Sequence, residues 1–309
     1  MELGLAFAQL GPFANPESVR SMAVAAEGRG YTSLWVIDRL LDPVEPRTPY
    51  PATLDGSLPP EQKIALDPFV TLATAAALTT TIRIGTNVVV VPWYRPVLLT
   101  RALASLDVLS GGRLDIGLGL GWSADEFAAA GVAHHRLAAR QEQLLDIFDA
   151  VWGSEIVTYD DGDVRIAPSG IRPKPVQTPR PPVLLAAYST AGLVRAGRRA
   201  DGWTPSGLSL ADTEAMWSVV TAAAADAGRD PSMLSLVVRA NIHHRDRPAG
   251  PGRPTYHGSV DQIADDVRGA FALGARQVIL DLQGTTRDVA AYLDLADAIA
   301  DAGDLRSAA

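Results

Sequence analysis

Short runs rich in Val, Ile and Leu alternate along this chain with longer runs of helical period, and the alternation repeats eight times. The short runs occupy residues 3–8, 32–38, 83–93, 113–122, 182–188, 201–207, 234–243 and 276–283, and helical runs follow at 16–30, 67–80, 96–112, 136–153, 189–200, 211–228, 259–274 and 287–303. Strands joined through helices pair in parallel, and a parallel sheet needs cover on both faces. Eight units in one chain fit a closed (β/α)8 TIM barrel better than an open doubly wound sheet. No repeat or linker divides the 309 residues, so one α/β domain spanning 1–309 is expected, with insertions near 40–66 and 154–181. The first insertion is Pro-rich and irregular; the second reads as a hairpin. Asn15 before Pro16, and Asp67 before Pro68, are helix N-cap signals.

Composition narrows the function. With 27 Lys and Arg against 35 Asp and Glu, the net charge of −8 argues against nucleic acid as a main partner. The chain has no cysteine, which excludes disulfides, thiolate catalysis and zinc–thiolate sites. The N-terminus lacks a charged region followed by a long apolar one, and no apolar run reaches the length of a membrane span. A cytoplasmic enzyme acting on a small molecule, without a membrane or a metal, is expected.

In a barrel of this kind the site lies at the C-terminal ends of the strands. Those ends carry Gln9, Asp38 and Arg39, Thr86 and Asn87, the glycines of "GLGLGW" with Asp125 and Glu126 beyond, "AAYST" at 186–190, Trp203, Thr204 and Ser206, Arg239 and Asn241, and Asp281 and Gln283. Small residues, amides and aromatics dominate, and acid–base groups are few. Such a rim suits a broad, flat ligand that carries its own chemistry. The glycines of "GLGLG" match no dinucleotide fingerprint, and glycines at a strand end more often permit tight packing. Ser189 and Thr190 open a helix, where free N–H groups and the dipole favour an anion, although plain N-capping by Ser189 explains the hydroxyl equally well. The pairs His134, His135 and His243, His244 lack a third ligand at fitting spacing and read as solvated loop histidines. Asp125 and Glu126 read as a helix start, and Trp93 and Tyr94 as cofactor-facing or as rim packing.

One stretch fits none of this simply. In "RIGTNVVVVPW" (residues 83–93) a β-branched run suited to a buried strand is preceded by Gly85, Thr86 and Asn87. The longer segment that contains it, "GTNVVVVPWYRPVLLTRALASLDVLSGGRLDIGLGLGW" (residues 85–122), strongly resembles the luciferase-like monooxygenase superfamily, especially its branch that uses the deazaflavin F420. The segments "SLWVIDRL", "RPKPVQTPRPPVLLAAYSTAGLVRAGRRADGWTPSG" and "YHGSVDQIADDVRGAFALGARQVILDL" are similar to the same family in the same order.

The resemblance implies a (β/α)8 barrel with insertions, usually a homodimer, whose third strand ends in a bulge that backs the coenzyme's rings. Gly85, Thr86, Asn87 and Val88 match that bulge, with a cis bond between Asn87 and Val88. Asp38 matches a residue near the ring. Leu120, Gly121, Trp122 and Asp125 match the lining of the cofactor pocket. Ala186, Ala187, Ser189 and Thr190 match the phosphate-binding segment, with Trp203, Thr204 and Ser206 near the phosphate or tail. The chain departs from F420-dependent dehydrogenases at two positions: Arg39 stands where they have a His base, and Trp122 where they have a Glu. A guanidinium stays protonated and cannot be that base, so Arg39 is expected to bind an anionic substrate or stabilise developing negative charge. The expected function is hydride transfer between F420 and a small organic substrate. The alternatives are a monooxygenase using reduced FMN, served by a separate reductase, and a non-catalytic barrel that stores or senses such a cofactor. If a dimer forms, the helices at 96–109 and 136–152 are expected to contribute.

Overall fold

The computed structural model describes residues 1–53 and 55–305. Its parallel strands are β1 (Glu2–Ala6), β2 (Ser33–Val36), β3 (Arg83–Thr86), β4 (Val89–Val90), β5 (Leu114–Gly119), β8 (Val183–Leu185), β9 (Gly202–Trp203), β10 (Ser235–Asn241) and β13 (Ala275–Asp281). Neighbours run β3, β2, β1, β13, β10, β9, β8, β5, β4, and the additional β3–β5 pairing closes the sheet on itself. Since β3 and β4 are two halves of one interrupted strand, the barrel has eight staves, as the alternation requires.

The helices on its outside are α1 (Pro16–Gly28), α2 (Pro68–Leu78), α3 (Pro96–Leu109), α5 (Leu137–Gly153), α6 (Thr190–Arg199), α7 (Leu210–Asp226), α8 (Val260–Ala272) and α9 (Val289–Ala302), with a short α4 (Ala124–Ala129) after β5. Asn15 and Asp67 cap α1 and α2 as expected, accepting from Ser18 N and Val70 N. The second insertion is the antiparallel hairpin β6 (Ile156–Asp160) and β7 (Arg165–Gly170). The short strands β11 (His243–His244) and β12 (His257–Gly258) pair beside the barrel. Among the described residues no helix is long and apolar enough to cross a membrane.

Period-two alternation sorts each stave into two shells. Leu5, Leu34, Ile84, Ile116, Leu185, Val238 and Leu280 are buried in the main core with Met22, Leu72, Leu103 and Leu144 of the helices. The other face points inward, where Ala6, Trp35, Leu184, Val237 and Ile279 form a separate buried cluster from five staves. Trp35 packs against β3: a Cβ on Gly85 would lie 2.5 Å from its ring, and its indole donates to Ser33 Oγ at 2.6 Å.

Only part of the β-branched run becomes strand. Val89 and Val90 pair with Leu118 and Gly119, whereas Val91–Trp93 is a turn of 3-10 helix holding Pro92. Between β3 and β4 the chain bulges, and the Asn87–Val88 bond is cis. The glycines of "GLGLG" make room for that bulge. A Cβ on Gly117 would lie 2.0 Å from the Thr86 carbonyl oxygen, and one on Gly119 2.4 Å from Val88 Cγ2.

Candidate active site

Above the Trp35 layer the inward face turns polar. Asn87 Nδ2 donates to Thr204 Oγ1 at 2.6 Å, and Thr204 Oγ1 donates to the Val237 carbonyl at 2.8 Å. Arg239, from β10, pairs with Asp281 at 2.5 Å and reaches the Asn87 carbonyl and Oδ1 at 3.4 Å each. The strands flanking Asn87 are not sheet neighbours of those leading to Thr204 and Arg239, so these bonds cross the lumen. Together they form a floor whose polar groups satisfy one another, as burial demands. Around it, Asn241 Nδ2 donates to Ser206 Oγ at 3.0 Å, and Tyr188 Oη donates to the Ser206 carbonyl at 3.1 Å.

Asp38 stands at the exit of β2, 8% exposed. Its Oδ2 accepts from Val90 N and from Tyr94 Oη, both at 3.0 Å. Burial pushes its carboxyl up to about 7, against those two hydrogen bonds, and the nearby Asp67 and Glu126 charges add to the rise. Tyr94 is shifted well upward, by burial first and by the Asp38 charge second, so the phenol keeps its proton and donates. Asp38 is therefore placed to exchange a proton near neutrality.

The sign of this shift fixes a pH dependence. The folded state holds the Asp38 proton more tightly than the unfolded chain, so the stability linked to that proton is present below about pH 4 and is lost as pH rises to about 7. Asp38→Asn cannot titrate. Urea unfolding of both proteins at pH 5 and pH 8 should show the wild type losing about 2 kcal/mol more than the variant between those values. Equal changes in the two proteins would mean that Asp38 has an ordinary carboxyl.

The Arg39 side chain is buried beside a carboxylate. It is 6% exposed and that of Glu126 2%, with Nη1 to Oε2 at 3.2 Å. Nη2 donates to the Leu41 carbonyl, and the guanidinium lies over the Trp122 ring at 5.3 Å. Its charge is thus already met by Glu126, leaving Nε as a buried N–H without an acceptor among the described residues. Glu126 Oε1 also accepts from Leu40 N and Leu41 N, which ties the first insertion to α4. Further along that insertion, Arg47 pairs with Asp125 at 2.6 Å, and Tyr50 meets the Trp122 ring edge-on at 5.3 Å.

Several of the expected cofactor residues also make contacts within the protein. Gly85 yields its space to Trp35. Thr86 Oγ1 is locked to Gly117, donating to its carbonyl at 2.8 Å and accepting from its N–H at 2.9 Å. Trp203 is fully buried on the helix side, stacked on Trp217 at 6.5 Å, because it alternates with the inward Thr204. Asp125 serves Arg47. Half-buried around the mouth remain Val88, Leu120, Gly121, Trp122, Ala186, Ala187 and Ser206. Ser189 caps α6, its Oγ accepting from Gly192 N at 3.3 Å, and Thr190 is exposed beside it.

Sequence reasoning passes over Arg239, Asp281, Glu126 and Tyr94 as working parts. The signal for the first two is present: Arg239 and Asn241 alternate with Val238 and Ala240, so polar groups occupy the inward face of a strand that is otherwise apolar. Glu126 and Tyr94 act through contacts 86 or 87 and 56 residues away in the chain, which no local pattern reveals. Among the described residues no three His, Asp or Glu side chains are grouped to hold a metal ion.

Known proteins agree with this architecture. The family model for luciferase-like monooxygenases matches residues 5–251. An uncharacterised protein of Mycobacterium tuberculosis, Rv0953c, is 35% identical over 248 residues, covering 78% of this chain and 86% of its own. Two solved structures share the fold at low identity: an F420-dependent secondary alcohol dehydrogenase with an F420–acetone adduct (TM-score 0.76, 16% identity, 99% of both chains), and the riboflavin lyase RcaE with modified FMN and riboflavin (TM-score 0.77, 14% identity, 99% of this chain and 92% of that one). The chain belongs to the luciferase-like monooxygenase family and is an oxidoreductase built on that family's closed parallel barrel.

Proposed function

We propose that this protein binds coenzyme F420 at the mouth of the barrel and transfers a hydride between it and a small organic substrate. The observation that carries this reading is the division of labour at the mouth. The polar groups of the floor are spent on one another, and one proton-exchanging carboxyl, Asp38, stands at the rim. A site of this kind holds and orients a reactive group and manages one proton.

The residues fit such a group. The first turn of α6 packs tightly on the β8 exit, since a Cβ on Gly192 would lie 2.8 Å from Ala187 Cβ. No acidic residue occupies that turn, so its exposed N–H groups suit a phosphate. Val88, Leu120 and Gly121 offer apolar surface for rings. When bound, the deazaflavin supplies a two-electron hydride carrier. The chain's own part is to orient the rings on the bulge, to exclude water with the first insertion, and to give or take a proton at Asp38 Oδ2. Arg39, paired to Glu126, holds the Trp122 ring and the start of the insertion.

The second reading is a two-component monooxygenase that takes reduced FMN from a separate reductase. It is favoured by the fit of this fold onto a protein that holds modified FMN as well as it fits an F420 enzyme. Parallel fluorescence titrations of the purified protein with F420 and FMN separate them. F420 should bind at least about tenfold more tightly, a difference of about 1.4 kcal/mol. Tighter binding of FMN, chiefly when reduced, would replace the first reading by the second. We also propose that two copies pair through α2 and α3, whose outer faces leave Val70, Leu98 and Leu109 at 67%, 57% and 69% exposure. The outer face of α5 is instead charged, with Asp146 and Asp149 exposed.

A further inference from the structure

Beside the barrel mouth lies a cavity of about 820 Å³ that the chemistry at Asp38 does not use. Four elements wall it: the segment after β4, the loop between α4 and α5, one face of α5, and the β6–β7 hairpin. Its apolar surface comes from Val91, Pro92, Trp93, Tyr94 and Leu144, and its polar lining is mixed in sign.

The acids of this lining are already engaged. Glu142 accepts from Arg195 and Arg199 at 2.7 and 2.9 Å, and Asp146 accepts from Arg199 at 2.7 Å. Asp161 accepts from Gln143 at 2.7 Å and from Tyr159 at 2.9 Å, and Asp163 faces Arg136 at 4.0 Å. The donors are not engaged to the same degree. Arg140 makes one long bond, to the Pro92 carbonyl at 3.5 Å, and has no carboxylate partner among the described residues. Arg95 is exposed with no acceptor among them. The Trp93 indole N–H, next in the chain to that carbonyl, is buried and without an acceptor among the described residues. With the acids engaged, two arginines that lack carboxylate partners among the described residues, in a cavity also lined by Trp93 and Tyr94, select a ligand with an anionic end and an apolar body.

We propose that this cavity is a second small-molecule site, separate from the barrel mouth, for an organic anion with an aromatic or aliphatic body, its acidic group held by Arg140 and Arg95. Tyr94 is shared by the two sites: it lines the cavity, and its hydroxyl donates to Asp38. Occupancy of the cavity is thereby sensed at Asp38.

The probe is 8-anilinonaphthalene-1-sulfonate, a fluorescent aromatic anion, titrated into the full chain. Wild-type protein should bind it saturably at one site. Arg140→Gln should weaken binding about tenfold, the loss of a charge-assisted hydrogen bond. Arg95→Gln, which removes the second unpaired charge, should weaken it several-fold. Tyr188→Ala, at the barrel mouth, should leave it unchanged. Circular dichroism confirms that each variant is folded, and because the two cavity variants are independent, the failure of one leaves the other as the test. No saturable binding, or affinity that follows Tyr188→Ala and ignores both cavity variants, overturns the proposal. The test uses no cofactor, so its outcome is independent of the F420 assignment.

Discussion

Gly117→Ala is expected to lower the unfolding free energy by about 3 kcal/mol and to abolish cofactor binding. A Cβ at this position would lie 2.0 Å from the Thr86 carbonyl oxygen. That oxygen belongs to the backbone at the start of the bulge, where no side-chain rotation can relieve the clash. The β3–β5 pairing must open, and the Thr86 Oγ1 bonds to Gly117 N and O go with it. Chemical denaturation gives the stability change and a fluorescence titration the binding change. The control is Gly153→Ala at the end of α5, where an added Cβ meets nothing within 4 Å. It should be neutral or stabilising by up to about 1 kcal/mol, the ordinary helix preference for Ala over Gly. A Gly117 variant no worse than this control would mean that the β5 glycines are incidental to the bulge.

The second large effect concerns Glu126. Glu126→Gln strips the counter-charge from an arginine whose side chain is 6% exposed. Leaving a buried charge unpaired costs about 3–5 kcal/mol, more than the pair itself is worth against an apolar replacement. The substitution also weakens the acceptor for Leu40 N and Leu41 N. We therefore expect a loss of about 3 kcal/mol, together with faster proteolytic nicking within residues 40–66 as the anchored end of the insertion loosens. Arg39→Met in the same background should restore most of the stability, giving a strong coupling in a double-mutant cycle. Additive single losses would show that Arg39 and Glu126 are stable independently of each other.

Much of this molecule is readable from residue order, for identifiable reasons. The eight strand–helix units are set by local periodicity and by caps such as Asn15 and Asp67, which act within three residues. The hairpin of the second insertion is likewise local. The bulge is half-legible: Gly85, Thr86 and Asn87 are visibly out of place in a strand, yet their reasons are tertiary. Gly85 is there for Trp35, and Asn87 is there to meet Thr204 and Arg239 across the lumen. The residues 117–121 explain the same limit. As a string they invite comparison with nucleotide-binding loops, but Gly117 and Gly119 are required by a neighbouring stave that a linear reading does not place beside them. Arg39 shows the converse limit. Its chemistry is legible as a fixed positive charge, while its assignment to a substrate leaves out the glutamate delivered from 87 residues away.

The tryptophan packed across the barrel interior has a kinetic meaning. With Trp35, Leu184, Val237 and Ile279 buried together below the Asn87 layer, the barrel mouth is a well closed from beneath by side chains. Two molecules that must lie face to face in such a well cannot pass each other. On the proposed function, the partner that rests on the bulge arrives first and departs last, so an ordered addition, coenzyme before substrate, is the expected result of a product-inhibition study.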